Sequence, residues 1–299
     1  MSAPPLSFDG RVAVITGSGG GLGRSHALEL ARRGALIVVN DLGGAVDGTG
    51  GSTSAAEAVV KEIEALGGEA VANTDSIATP EGGEAVVQTA LDAFGKVDII
   101  VNNAGILRDT SFKNMTSEML DPVLDVHLRG AFNVTRPAWT LMRDQGYGRI
   151  INTTSGAGLF GNFGQANYGA AKMGLVGLAR VLAVEGHKNN IGVNVIAPIA
   201  RTRMTEEILG DKADQLDPEL ISPLVAYLAH ESCDRNGAIY SVGGGRIARV
   251  FLGVTPGVVD PSLTAESIAE SIDQIDDTDD FFIPARLNDE IRVIYGLLS

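Results

Sequence analysis

Short runs of apolar residues, separated by segments with helical spacing, alternate along the first 245 residues of the chain. Seven runs are rich in Val, Ile and Ala and are bounded by Gly, Asn, Asp or Pro, which is typical of β-strands. They read RVAVITG, ALIVVND, EAVANTD, VDIIVNNAG, GRIINTTS, GVNVIAP and AIYSVGG. Because they are continuously apolar rather than alternating, both faces of each strand should be buried, which favours a parallel sheet.

The segments between most of these runs have apolar residues at helical spacing. Strands that alternate with helices indicate an α/β fold. We therefore predict a Rossmann-type, doubly wound, seven-stranded parallel sheet with helices on both faces. The predicted helices cover residues 22–33, 54–66, 81–94, 116–144, 167–188 and 217–230, and the fourth should break near Pro122.

Two segments depart from this alternation. The glycine-rich stretch between Asp41 and Ser54 is predicted to be a flexible surface loop near whatever ligand binds at the end of the second strand. After residue 245 an acidic run, DQIDDTDD, precedes a more apolar end. We predict one domain over residues 1–254 and a C-terminal extension over residues 255–299, which packs on this domain or on a partner subunit.

Charge and composition exclude several classes of partner. The 299 residues include 23 Lys and Arg against 37 Asp and Glu, a net charge of −14, which repels nucleic acid and anionic membranes. The N-terminus lacks a basic region followed by an apolar stretch, and no run approaches the roughly 18 apolar residues of a membrane span. The one cysteine, Cys233, is interpreted as a quiet, partly buried thiol without metal-ligand spacing around it. We expect a cytoplasmic protein without a metal.

A glycine-rich turn joins the first strand to the first helix. Gly17, Gly21 and Gly23 have the spacing G-x-x-x-G-x-G, which leaves backbone amides and the positive helix end free to face a pyrophosphate. The alternative is a turn that only tightens the packing of strand against helix. The position directly after a strand favours a dinucleotide-binding role for the domain of residues 1–254.

The end of the second strand bears on the choice of cofactor. Asp41 lies 18 residues after Gly23, close to the offset at which an acidic residue accepts hydrogen bonds from the adenosine ribose. Its charge would repel a 2′-phosphate by about 4 kcal/mol per charge pair at roughly 4 Å. The nearby cations Arg24 and Arg32 are interpreted as exposed helix residues in preference to 2′-phosphate contacts. The sequence therefore predicts NAD.

Three side chains at fixed separations suggest acid–base chemistry. Tyr168 and Lys172 lie one helical turn apart, so the ammonium charge should lower the pKa of the phenol. Ser155 follows the strand GRIINTT, where ligands of a doubly wound sheet bind. Transfer of a hydride from an alcohol requires a group that takes the hydroxyl proton. Taken singly, Tyr168 would be an ordinary half-buried helix residue; the combination indicates a catalytic set.

The motifs TGSGGGLG, NNAG, YGAAK and NVIAP together resemble those of the short-chain dehydrogenase/reductase family. The resemblance implies a dimeric or tetrameric enzyme in which Tyr168 is the general acid/base, Ser155 orients the substrate and Lys172 also contacts the nicotinamide ribose. It further implies that Asp75 and Ser76 border the adenine. The other implied cofactor contacts are Leu22, Asn103, Ala104, Gly105, Pro198 and Thr202.

One position departs from the common family pattern. Many members have an asparagine in the helix before the serine strand, within a sequence like VNLxG, whereas this chain reads DVHLRG. His127 occupies that position. It can hold a relay water or a backbone carbonyl in place of the asparagine, and a simple packed histidine is an equally good interpretation.

The segments NNAGILRD, VHLRG and GNFGQANY resemble those of a subgroup, the hydroxyacyl-CoA dehydrogenases of the peroxisomal multifunctional type and their bacterial relatives. This implies NAD-dependent oxidation of (3R)-3-hydroxyacyl-CoA, or of steroid 17β-hydroxyls. A catalytically silent dinucleotide-binding regulatory protein is the alternative from another class. Four arginines fall in segments that can border the substrate cleft, or are merely exposed: Arg201, Arg203, Arg246 and Arg249.

Overall fold

The computed structural model describes residues 5–202 and 214–297. The chain divides into two compact units, Met1–Arg249 and Val250–Ser299. The unit boundary lies five residues before the predicted one. Arg203, one of the four arginines considered for substrate binding, lies outside the described residues.

Eight strands form one sheet in the described part of the chain, in the order β3-β2-β1-β4-β5-β6-β7-β8. The first seven pair in parallel and coincide with the seven predicted runs. Their bounds are β1 Val12–Thr16, β2 Leu36–Asn40, β3 Ala70–Asn73, β4 Ile99–Asn102, β5 Gly148–Thr153, β6 Ile191–Pro198, β7 Ile239–Gly243 and β8 Arg246–Val250. The doubly wound α/β class is confirmed.

The prediction of seven strands was one too few. β8 follows β7 after the two-residue turn Gly244–Gly245, a connection that reverses the chain into an antiparallel edge. Its sequence, RIARV, carries two arginines and is largely exposed, so it lacks the continuous apolar pattern of the other strands. In contrast, every residue of β1, β4 and β5 is buried.

Helices cover both faces of the sheet, and all six predicted helical segments are present. The fourth segment is divided in two, so the six segments correspond to seven helices: α1 Gly21–Ala31, α2 Ser54–Ala65, α3 Pro80–Phe94, α4 Ser117–Leu124, α5 Gly130–Gln145, α7 Ala166–Gly186 and α8 Ser222–Ala229. The short α6, Gly156–Phe160, was not predicted. Local sequence sets the ends of α3: Thr79 caps its first turn, Pro80 begins it, and Gly95 ends it in the left-handed conformation.

The predicted break near Pro122 takes a particular form. α4 continues into a π-helical turn, Asp125–Arg129, before α5 begins. A π-turn inserts an extra residue into a helix and often occurs at functional sites. Here it carries His127, whose side chain is buried.

The second unit contains two helices, α9 Ala265–Ile275 and α10 Leu287–Leu297. Thr264 and Ser267 form a capping box at the start of α9. No residue of this unit is buried within the part that the structure describes. Whether the unit covers this subunit or a partner stays a prediction.

Cys233 is a free, buried thiol, in a more enclosed position than the sequence predicted. None of the described helices is both long and apolar enough to span a membrane.

Candidate active site

A cavity of about 470 Å³ lies at the carboxyl ends of the central strands, where the strand order reverses between β1 and β4. Ligands of doubly wound sheets bind at this switch point. The cavity collects every predicted site residue except Gly23. They are Gly17, Gly21, Leu22, Asp41, Asp75, Ser76, Asn103, Ala104, Gly105, His127, Ser155, Tyr168, Lys172, Pro198 and Thr202.

The glycine loop after β1 is shaped for close approach. Gly17 has φ +65°, and a Cβ there would lie 2.6 Å from the Cα of Ala104. Gly21 has φ +53°, and a Cβ there would lie 3.7 Å from Cγ2 of Thr202. Gly23 does not line the cavity, and its missing Cβ would lie 2.2 Å from the carbonyl oxygen of Gly17. It lets α1 pack against the loop rather than facing the cavity.

The NNAG segment after β4 is fixed to this loop by polar contacts. The side-chain amide of Asn103 donates to the carbonyls of Thr16 and Gly17, each at 3.0 Å. The hydroxyl of Thr16 accepts from the backbone amides of Asn103 and Ala104, each at 3.1 Å. Sequence reasoning missed Thr16, although a buried hydroxyl at the end of β1 needs polar partners.

Asp41 lies at the other side of the cavity, directly after β2. Its carboxylate accepts hydrogen bonds from the backbone amides of Gly19 at 2.8 Å and Gly43 at 2.7 Å. Each carboxylate oxygen has a further lone pair that can accept from a ribose hydroxyl. Arg24 is bound by Glu62 and does not line the cavity. This agrees with its interpretation as a helix residue.

Ser155, Tyr168 and Lys172 converge in the cavity from two helices. Ser155 is the N-cap of α6, where its hydroxyl accepts from the amide of Ala157 at 3.2 Å. The side chains of Ser155 and Tyr168 are hydrogen-bonded to each other. Lys172 lies one turn further along α7, with Nζ 5.5 Å from the centre of the Tyr168 ring. Nζ donates to the carbonyl of Thr153 at 2.7 Å.

The expected lowering of the phenol's pKa is wrong for this structure. Burial raises the pKa of Tyr168, and the hydrogen bond from Ser155 offsets this only in part. Burial also lowers the pKa of Lys172 to about 7, so its amine is only partly protonated at neutral pH. Sequence spacing places the two groups together but does not report their desolvation, which dominates here.

His127 combines features of both interpretations made from the sequence. Its Nε2 lies 3.0 Å from the amide nitrogen and 2.8 Å from the carbonyl oxygen of Ile106, and its ring meets that of Tyr168 edge-on at 5.1 Å. Burial and the nearby Lys172 hold its pKa well below the usual value, so the imidazole is neutral. Its Nδ1 has no hydrogen-bond partner among the described residues.

Two further positioning residues escaped the sequence analysis. Asn167, directly before Tyr168, donates from its buried side chain to the carbonyls of Arg108 and Met119, each at 2.9 Å. Thr154 donates to the carbonyl of Lys172 at 2.6 Å. These bonds fix the start of α7 and therefore the two catalytic side chains. The sequence did contain a signal for both, since Asn167 directly precedes Tyr168 and Thr154 directly precedes Ser155.

The substrate-side arginines are less favourably placed. Arg201 pairs with Asp214 at 2.6 Å. Neither Arg201, Arg246 nor Arg249 belongs to the described lining of the cavity, whereas Arg108 does.

Comparison with protein-family models matches residues 11–213 to the short chain dehydrogenase family. The chain belongs to this family. It is therefore an oxidoreductase whose fold implies a nicotinamide dinucleotide cofactor. The glycine cradle fits such a group, because Gly17, Gly20 and Gly21 line the cavity without side chains and α1 begins there, so backbone amides at the helix start can face a pyrophosphate. Two buried, unpartnered polar atoms also fit a ligand there, since His127 Nδ1 and Thr153 Oγ1 belong to residues that line the cavity.

This short-chain dehydrogenase resembles larger proteins over most of its length. It is 52% identical over 280 residues to peroxisomal multifunctional enzyme type 2 of Mus musculus, covering 92% of this chain and 38% of that protein. The full-length structure of the Drosophila melanogaster enzyme of that name superposes with a TM-score of 0.82 at 39% identity, covering 98% of this chain and 50% of that one. A hydroxyacyl-CoA dehydrogenase of Mycobacterium tuberculosis is 40% identical over 262 residues, covering 81% of this chain and 80% of that protein.

Proposed function

We propose that this oxidoreductase uses NAD to oxidise (3R)-3-hydroxyacyl-CoA to 3-oxoacyl-CoA. The observation that carries the proposal is the convergence of Ser155, Tyr168 and Lys172 in one cavity whose opposite side presents Asp41. Relatives named as hydroxyacyl-CoA dehydrogenase and as multifunctional enzymes support the substrate class. The (3R) preference rests on resemblance to the subgroup.

The three catalytic side chains divide the chemistry between them. The hydroxyl of Ser155 holds the substrate oxygen, and the phenolate of Tyr168 takes the proton of the substrate alcohol. The bound nicotinamide supplies the hydride acceptor. Lys172, when its amine is protonated, stabilises the phenolate, and it would also bind the nicotinamide ribose. Asp41, the glycine loop and the segment Asn103 to Gly105 would hold the rest of the cofactor.

The raised pKa of Tyr168 has a consequence for direction and pH. Oxidation needs the phenolate, so its rate should rise as the pH approaches the pKa of the phenol, whereas reduction uses the phenol and is favoured at lower pH. The expected effect of Tyr168→Phe is a loss of turnover of about 10²-fold or more, with binding of the cofactor retained. The absorbance of reduced nicotinamide, followed with a panel of 3-hydroxyacyl-CoA thioesters, measures the pH dependence of the rate and the loss of turnover. Full dehydrogenation by Tyr168→Phe would contradict the mechanism.

Asp41 supports NAD over NADP. Its carboxylate is held at the cavity by Gly19 and Gly43, and the nearest helix cation, Arg24, is engaged by Glu62. Asp41→Ala should weaken NAD binding by about tenfold, since it removes a charged hydrogen-bond acceptor, and should weaken NADP binding less. Calorimetric titration with both cofactors tests this, and tighter binding of NADP by the unmodified protein would exclude the NAD assignment.

Two alternatives remain within reach of the same assays. A steroid 17β-hydroxyl is also a secondary alcohol on an apolar body, and turnover of hydroxysteroids without turnover of the thioesters would favour it. A catalytically silent dinucleotide-binding protein would bind NAD and oxidise neither class. Assembly as a homodimer or homotetramer and a cytoplasmic location stay predictions.

A further inference from the structure

The loop after β2 crosses the cavity and is tied to its far side. We call residues 42–52 the strap. Five of them line the cavity, as do Ile106 and Arg108 beyond β4. The backbone amide of Leu107 donates to the carbonyl of Val46 at 2.9 Å. The strap therefore runs from Asp41, on the proposed ribose side, to the segment that holds His127.

The strap has internal structure and closed ends. Ser52 donates from its backbone amide to the carbonyl of Leu42 at 2.9 Å, and Ala45 donates to Thr49 at 2.8 Å. Gly48, with φ +84°, packs on the side chain of Ile106, where a Cβ would lie 3.1 Å from Ile106 Cδ1. Its geometry is that of a compact loop with adjoining ends, which can move as a unit.

Arg108 is the side chain that joins the strap to the catalytic region. Its Nε donates to the carbonyl of Asp47 in the strap at 3.0 Å, and its Nη1 donates to the carbonyl of Glu118 in α4 at 2.6 Å. Its own carbonyl accepts from Asn167, the residue before Tyr168. A single planar guanidinium thus bridges two backbone carbonyls on different elements, which a lysine cannot reproduce.

We propose that Arg108 is a positioning residue that holds the strap closed over the dinucleotide, so that opening of this clamp controls the exchange of the cofactor. The inference rests on the family's nicotinamide dinucleotide cofactor and on the proposed site. Because the clamp bonds lie outside the Ser155, Tyr168 and Lys172 set, weakening them should alter residence of the cofactor more than the chemical step.

The test has a first arm on the protein without added cofactor. Arg108→Met removes both side-chain bonds and keeps an unbranched apolar stem, and Arg143→Met, at an exposed position of α5, is the matched control. Amide hydrogen exchange at Leu107 should become about tenfold faster in Arg108→Met, as expected for the loss of a charge-assisted hydrogen bond. Unchanged exchange would overturn the proposal.

The second arm measures release of NADH by stopped-flow fluorescence, with NADPH as the probe if NADH does not bind. Release should be about tenfold faster in Arg108→Met, intermediate in Arg108→Lys and unchanged in Arg143→Met. A variant lacking residues 45–50, in which Leu42 and Ser52 still meet, should release NADH fastest. If it folds and releases NADH at the rate of the unmodified protein, the strap does not control exchange.

The outcomes separate this inference from the proposed function. Failure of NADH but not NADPH to bind would contradict the NAD assignment and leave the strap testable. Binding of NADH with equal release rates in all variants would contradict the strap alone.

Discussion

Replacing Lys172 by methionine should stabilise the protein while it strongly lowers turnover. The side chain is 3% exposed, and burial lowers its pKa from 10.5 to about 7. Because the folded pKa lies below the unfolded value, the unfolded chain binds more protons between pH 7 and 10.5. The lysine therefore destabilises the folded state at neutral pH, and this cost diminishes as the pH rises toward 10.5.

The magnitude follows from the same shift. At pH 7.5 the displaced pKa corresponds to about 4 kcal/mol in favour of unfolding, and at pH 9.5 to about 1 kcal/mol. Lys172→Met removes this cost but leaves the carbonyl of Thr153 without its 2.7 Å hydrogen bond. That loss costs about 2 kcal/mol. The variant should thus be more stable than the unmodified protein by about 2 kcal/mol at pH 7.5, with no advantage left at pH 9.5.

Urea unfolding followed by circular dichroism at the two pH values measures the difference directly. Lys188→Met, at an exposed position just beyond the end of α7, controls for the general effect of removing a lysine. Turnover by Lys172→Met should fall by about 10²-fold or more. A stability difference that is the same at both pH values would refute the reasoning, since it would mean that the buried amine carries no displaced protonation.

Two further predictions concern residues around this set. Gly17→Ala should destabilise the protein by about 1–3 kcal/mol, because alanine at φ +65° is strained and its Cβ would overlap Ala104. Gly20→Ala is the control, since its backbone is extended and the space at the Cβ position is open. This control should unfold at the same denaturant concentration as the unmodified protein. His127→Asn should leave the positions of the pH–rate limbs unchanged, because the imidazole is already neutral, while it lowers kcat through altered packing against Tyr168. A limb lost in the variant would instead assign the titration to His127.

Sequence patterns were sufficient for most of the fold because each depends on local chemistry. The continuous apolar runs predicted β1 to β7, and helical spacing predicted the helices between them. β8 was missed because an exposed edge strand with two arginines lacks an apolar pattern. The short α6 was missed because five residues after Ser155 contain no periodicity to detect.

In the candidate site, too, some features were predictable from the sequence and others were not. Gly17, Asp41, Ser155, Tyr168 and Lys172 were predictable, since motif spacing relative to strand ends determines which side chains reach the switch point of the sheet. The protonation of these groups was not predictable from spacing. Burial is a property of the whole fold, and it reversed the expected direction for the pKa of Tyr168.

The sequence by itself determined the class of the fold, the glycine cradle and the identity of the proposed catalytic side chains, because these follow from periodicity and from short-range separations. Only the tertiary structure decided that Gly23 serves packing, that His127 contacts Ile106, and that Arg108 joins the strap to α4. These contacts join residues far apart in the chain, and their formation depends on how the elements pack rather than on any local pattern.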